Sequence, residues 1–165
     1  MDLVAIVAPE LAFDAPPLAS QEQLFALIAD RLLGAGIAAD RDEVVEGFRK
    51  REELCSTGVG HGVALPHSAI NSIDRILVVV VRLNPALDWH ARDNEPVSLV
   101  VALISPPSLY SVYLQVLATL ARALHLERVR QLAFNATSAA DAARVISFTA
   151  QQQLEGGEPI IEPVC

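Results

Sequence analysis

The stretch Arg51-Glu52-Glu53-Leu54-Cys55-Ser56-Thr57-Gly58-Val59-Gly60-His61-Gly62-Val63-Ala64-Leu65-Pro66-His67 carries most of the information in this chain. It reads as three parts: a helix ending in basic residues, a loop punctuated by Gly58, Gly60 and Gly62, and a short apolar strand that delivers Pro66 and His67. Glycines let a backbone turn tightly and approach a ligand closely. Successive amides in such a loop can form an anion-binding concavity. An arginine, two hydroxyls, exposed amides and a histidine together suit phosphoryl chemistry. The loop is not a Walker A motif, because no Gly-Lys-Ser/Thr follows it. Its glycines alternate singly rather than in the dinucleotide-binding spacing, and no aspartate is clearly placed for a ribose.

Working outward, Ser20-Gln21-Glu22-Gln23 fits a capping box, with Leu24, Leu27, Ile28 and Leu32 following at helical spacing until Gly34 and Gly36. Asp40 and Glu43 open the helix that leads into the decisive stretch. Its apolar side is Val44, Val45 and Phe48, and Arg49, Lys50 and Arg51 stand near its end, where cations suit the helix dipole. Arg49 and Arg51 lie two apart and point different ways, so only one of them would face a site beside the helix. Ile76 to Leu83 and Val97 to Ile104 are nearly continuous apolar runs, as strands buried on both faces would be. Val63 to Leu65 reads as a third strand and Leu3 to Val7 as a weaker one. After Pro106-Pro107, Tyr113, Val116, Leu117, Leu120 and Leu124 mark an amphipathic helix. Leu126 to Phe134 continues as a further helical piece, and Ser138 and Asp141 open a last helix. Helices alternating with buried strands predict an α/β fold with a central mixed β-sheet flanked by helices. Residues 1–150 form the domain, and Gln151 to Cys165 read as a mobile or loosely docked C-terminal tail.

Composition narrows the function. The 165 residues are 52% apolar and 19% charged, enough for one domain with a substantial core. A formal net charge of −8 offers no broad basic face for nucleic acid. Cys55 and Cys165 lie far apart and make no disulfide framework, so a reducing cytoplasm is the expected location. The N-terminus lacks the basic region of a signal peptide, and the run Ile76 to Val81 is too short to cross a bilayer.

The decisive stretch resembles the signature of the enzyme IIA proteins of the fructose/mannitol/nitrogen-regulatory branch of the phosphotransferase system. Arg51, Glu52, Ser56, Thr57, Gly58, Val59, Gly60, Gly62, Val63, Ala64, Leu65, Pro66 and His67 all match it. Leu87-Asp88-Trp89 and Asp93-Asn94-Glu95-Pro96-Val97 resemble the segment that leads into a core strand of that family. The likeness covers about residues 5 to 150 and is nearest to the nitrogen-regulatory branch. It implies the enzyme IIA fold and a phosphoryl group accepted by His67 from an HPr-type phosphocarrier protein. A backbone carbonyl bonded to Nδ1–H would leave Nε2 of a neutral imidazole to react. Arg51, Ser56, Thr57 and Tyr113 are the residues to stabilise the phosphoryl group, and Gly58, Gly60, His61 and Gly62 form the anion-binding loop. No metal or organic cofactor is implied. A transporter, a sensor kinase or a separate permease subunit is implied downstream.

Tyr113-Leu114 stands where the resemblance leads one to expect a His-Leu pair. A phenol donates one hydrogen bond and cannot become a cation. Three readings follow: an active phosphocarrier, an interaction module on the same fold that is not phosphorylated, or a small-anion binder at Gly58–Gly62. Bland readings stand beside them. His67 could be a buried structural histidine, Tyr113 a core residue and Arg51 a helix-end cation. Cys55, His61 and His67 fit no standard zinc spacing.

Overall fold

In the computed structural model, residues 1–156 are described. Six strands form one mixed sheet: β1 (Phe13–Ala15), β2 (Gly58–Gly60), β3 (Val63–Ala64), β4 (His67–Ala69), β5 (Leu77–Leu87) and β6 (Val97–Ser105). The order is β1-β5-β6-β3-β2, with β4 also paired to β6. β5 and β6 run antiparallel, β1 is parallel to β5, β3 and β4 are parallel to β6, and β2 folds back antiparallel on β3.

The apolar runs at β5 and β6 are continuous because both faces are covered. Successive side chains point to opposite faces. Val79, Val81, Val100, Ala102 and Ile104 meet α2 (Gln21–Gly34) and α3 (Arg41–Leu54) through Leu24, Phe25, Ile28, Val44 and Phe48. Val78, Val80, Leu99, Val101 and Leu103 meet α4 (Tyr110–His125) and α6 (Ala139–Gly156), with α1 (Leu3–Ile6) and α5 (Glu127–Phe134) completing that layer. The helix starts fall where their caps predict. Ser20 accepts the Gln23 amide at 3.3 Å and Asp40 the Glu43 amide at 3.0 Å. Gln23 reaches back to the Ala19 amide, one residue short of the reciprocal capping-box bond.

Two expectations are corrected. Leu3 to Val7 is not a strand: Asp2 accepts the Val4 and Ala5 amides, at 3.0 and 3.2 Å, and starts a short helix. Val7 pairs with the sheet, as an isolated bridge to Val78. The strand Phe13–Ala15, which the sequence reading lacked, takes the sheet edge instead. At the other end, Gln151 to Gly156 are not a loose tail but the last turns of α6. Gln151 Oε1 accepts the Leu3 amide at 2.9 Å and ties the two termini of the domain together. The rest of the expected tail, 157–165, lies outside the described residues.

Candidate functional site

α3 brings the basic residues to the sheet edge. It ends at Leu54, and Cys55 leaves it in an extended conformation with φ −174°. The chain then forms the β2–β3 hairpin, passes Leu65 and Pro66, and re-enters the sheet at β4. Pro66 has no amide to donate, and the ladder along β6 divides there into β3 and β4. The Pro66 carbonyl still accepts the Leu103 amide at 2.9 Å. His67 is thereby placed opposite Leu103, only 5% exposed.

The His67 ring is held from both sides. Nδ1 lies 2.8 Å from the Leu65 carbonyl oxygen, and Arg51 Nε donates to Nε2 at 3.0 Å. A carbonyl can only accept and a guanidinium can only donate. The proton is therefore on Nδ1 and the lone pair on Nε2. Burial lowers the imidazole pKa, the Leu65 bond partly opposes this and the Arg51 charge adds to it, leaving a value of about 4. The ring is neutral at pH 7. Of the two arginines, Arg51 is the one at the ring. Arg49 turns away and pairs with Glu46 and Glu53.

Tyr113, on the first turns of α4, completes the cluster. Its ring centroid is 6.0 Å from that of His67, and Tyr110 stacks on it at 5.8 Å. Tyr113 is also a core residue beside Val116 and Leu117, so it serves packing as well. Burial pushes its phenol up to about 12. The phenol therefore stays protonated, and among the described residues no hydrogen bond engages it.

Other expected site residues are placed differently. Ser56 donates its hydroxyl to the Trp89 carbonyl at 3.1 Å. Thr57, 1% exposed, donates its own to Glu52 at 2.5 Å. Neither hydroxyl is directed at His67. The glycine segment forms a hairpin. Gly60 pairs with Val63, and His61 and Gly62, with φ of +56° and +77°, make the two-residue turn. The His61 amide is already taken by Asp93 at 2.8 Å, and the His61 and Glu95 amides hold that carboxyl below its usual pKa. The turn thus contains its own anion. It is also remote: Val63 pairs with Leu99 and His67 with Leu103, four residues apart along β6 or about 13 Å. Gly58 has a packing reason instead, since a Cβ there would lie 2.6 Å from Ala91 Cβ. Sequence reasoning missed Glu52 and Trp89 as partners of Thr57. Glu52 was within the matched motif, but Trp89 is 32 residues away from Thr57 and no local spacing announces the contact.

Residues 6–148 match the family described as the phosphoenolpyruvate-dependent sugar phosphotransferase system, EIIA 2. The chain belongs to the PTS EIIA type-2 family. Among EIIA relatives it is similar to the PTS system fructose-specific EIIA component of Haloferax volcanii, 30% identical over 137 residues, covering 83% of this chain and 89% of the relative. It is equally similar to a nitrogen regulatory protein of Bradyrhizobium diazoefficiens, 30% identical over 151 residues, or 91% and 95% of the two chains. The crystal structure of nitrogen regulatory protein IIA-Ntr from Neisseria meningitidis superposes with a TM-score of 0.79 at 26% identity, over 87% of this chain and 98% of that one. The mixed sheet flanked by helices is thus the EIIA fold. No helix among the described residues is long and apolar enough to cross a membrane.

Proposed function

We propose that this EIIA-type chain is a phosphohistidine phosphocarrier and regulatory protein, working in the cytoplasm and accepting its phosphoryl group on His67 Nε2 from an HPr-type carrier. The observation that carries the reading is the Leu65–His67–Arg51 arrangement, which leaves a neutral ring with its lone pair on Nε2. In the step, the Nε2–P bond forms as the N–P bond of the donor's phosphohistidine breaks, and the donor ring leaves with the electron pair. Nδ1–H stays on His67, so the phosphorylated ring gains positive character, which the Leu65 carbonyl accepts. Arg51 must release Nε2 for phosphorus to arrive, and its guanidinium then has phosphoryl oxygens to bind, a bond of the charge-assisted kind. The Tyr113 phenol supplies a second, neutral donor. Ser56 and Thr57 act through the loop they hold. The partners proposed downstream are a transporter, a sensor kinase or a separate permease subunit.

A second reading has one observation in its favour: Tyr113 cannot become a cation, so an interaction module that is never phosphorylated would tolerate it. Phosphoryl transfer from phosphoenolpyruvate through enzyme I and HPr-type carriers, sugar-branch and nitrogen-branch, decides between them. Acid-labile label on wild type and none on His67→Ala supports the phosphocarrier. Label on Tyr113→His alone supports the interaction module.

A further inference from the structure

The last turn of α3 has an unusual end. No left-handed glycine follows it, and Cys55 is extended, so the helix lacks the usual C-terminal cap. Helix ends fray unless their last groups find partners. Yet Arg51 stands in that last turn and must reach Nε2 of His67 with hydrogen-bond accuracy. Cys55 is disulfide-bonded, which anchors the residue after the helix, but something still has to hold the turn that carries Arg51 in place.

The neighbouring residue does so. Glu52 grips Thr57 with both carboxylate oxygens: one accepts the Thr57 amide at 2.9 Å, the other the Thr57 hydroxyl at 2.5 Å. The same hydroxyl oxygen accepts Trp89 Nε1–H at 3.2 Å. Trp89 is fully buried and packs edge-on to Phe25 of α2, with ring centroids 6.1 Å apart. A chain of hydrogen bonds therefore runs from the core, through Thr57, to the frayable end of α3. Arg51 Nη1 adds a bond to the Cys55 carbonyl at 3.0 Å, which fixes the guanidinium over the turn.

We propose that Glu52, Thr57 and Trp89 are positioning residues that hold Arg51 against His67, taking the place of a helix cap. Thr57 has its only hydroxyl proton committed to Glu52, so it acts through Arg51 and not on a phosphoryl group. The consequence for transfer rests on the phosphocarrier reading, whereas the geometry does not. Among the described residues, the charged and titratable groups facing His67 from the elements packed around it are Arg51 on α3 and Tyr113 on α4.

The test is nitrogen-15 NMR of the full chain, reading the His67 ring titration and the exchange of Arg51 Nε–H. The chains compared are wild type, Glu52→Gln, Thr57→Val, Thr57→Ser and Arg51→Gln. Glu52→Gln and Thr57→Val should each speed exchange of Arg51 Nε–H by about tenfold, the scale of one lost hydrogen bond. Each should also raise the His67 midpoint in the same direction as Arg51→Gln, while Thr57→Ser, which keeps the hydroxyl, behaves as wild type. Folded Glu52→Gln with wild-type His67 and Arg51 signals, and changes confined to the β2–β3 hairpin, would overturn the proposal. If Thr57→Val fails to fold, Glu52→Gln decides alone. A wild-type chain that takes no phosphoryl group would sink the phosphocarrier reading and leave this titration result intact.

Discussion

Arg51 Nε donates to the very nitrogen of His67, Nε2, that is left with a free electron pair by the Leu65 carbonyl on Nδ1, at a distance of 3.0 Å. The resting site is therefore latched. On the phosphocarrier function proposed above, the arginine that orients the ring also occupies the position phosphorus would take, and it would exchange one acceptor for another during transfer.

Replacing Arg51 separates these roles. Hydrogen bonds to charged groups contribute about 1.5–3 kcal/mol, so Arg51→Gln should slow phosphoryl transfer to His67 by about 10- to 100-fold. Arg51→Lys should recover only part of that loss, because an ammonium lacks the planar fork that fits phosphoryl oxygens. Single-turnover transfer from a phosphorylated HPr-type carrier measures both. Equal rates for all three chains would remove Arg51 from the step.

His67 makes folding sensitive to acid. Its folded pKa of about 4 lies below the ordinary 6.5, so the unfolded chain binds the proton first as pH falls. The stability is fully present above pH 6.5 and is lost as pH drops toward 4. The shift corresponds to about 3 kcal/mol. Urea unfolding at pH 7 and pH 4.5 should show a larger loss for wild type than for His67→Gln. The same loss in both chains would place the acid sensitivity elsewhere.

Tyr113 should free the reaction of a second titration. With His67 neutral and the phenol pushed up to about 12, neither group changes charge between pH 6.5 and 9. The wild-type phosphorylation rate should be flat across that range once the donor's own pH dependence is divided out. Tyr113→His should acquire a step near the ordinary histidine pKa of about 6.5. A step of that kind in wild type would mean that another group controls transfer.

The hairpin glycines should fail for different reasons. Gly58→Ala would set a Cβ 2.6 Å from Ala91 Cβ and should cost about 1–3 kcal/mol by overpacking. Gly62→Ala meets no such obstacle, but φ of +77° should still cost about 1–2 kcal/mol. Chemical denaturation ranks them. Because Asp93 already occupies the His61 amide, inorganic phosphate should leave the amide resonances of residues 60–62 unmoved. A saturable shift there would restore the anion-binding reading of this loop.

The sequence made the Arg51–His67 pair legible because both residues fall within one short run of glycines, hydroxyls and a proline. The buried strands were legible for a similar reason, since apolar runs such as Leu77 to Val81 have no polar face to confuse them. Leu3 to Val7 misled because four or five apolar residues suit a strand or a helical turn equally. The Asp2 cap decided it. Gln151 to Gly156 looked loose because their side chains are polar, yet glutamine is a good helix former and Gln151 finds the Leu3 amide far away in sequence. The carboxylate that the hairpin turn holds was not legible, because Asp93 comes from a loop 32 residues beyond His61.

Transfer to His67 is tested most directly by the position of phosphorus on the ring. Nitrogen-15 and phosphorus-31 NMR of the chain after incubation with a phosphorylated HPr-type carrier reads that position. One phosphoryl group is expected on His67 Nε2, with the proton retained on Nδ1. Phosphorus on Nδ1, on a residue other than His67, or on no residue at all would contradict it.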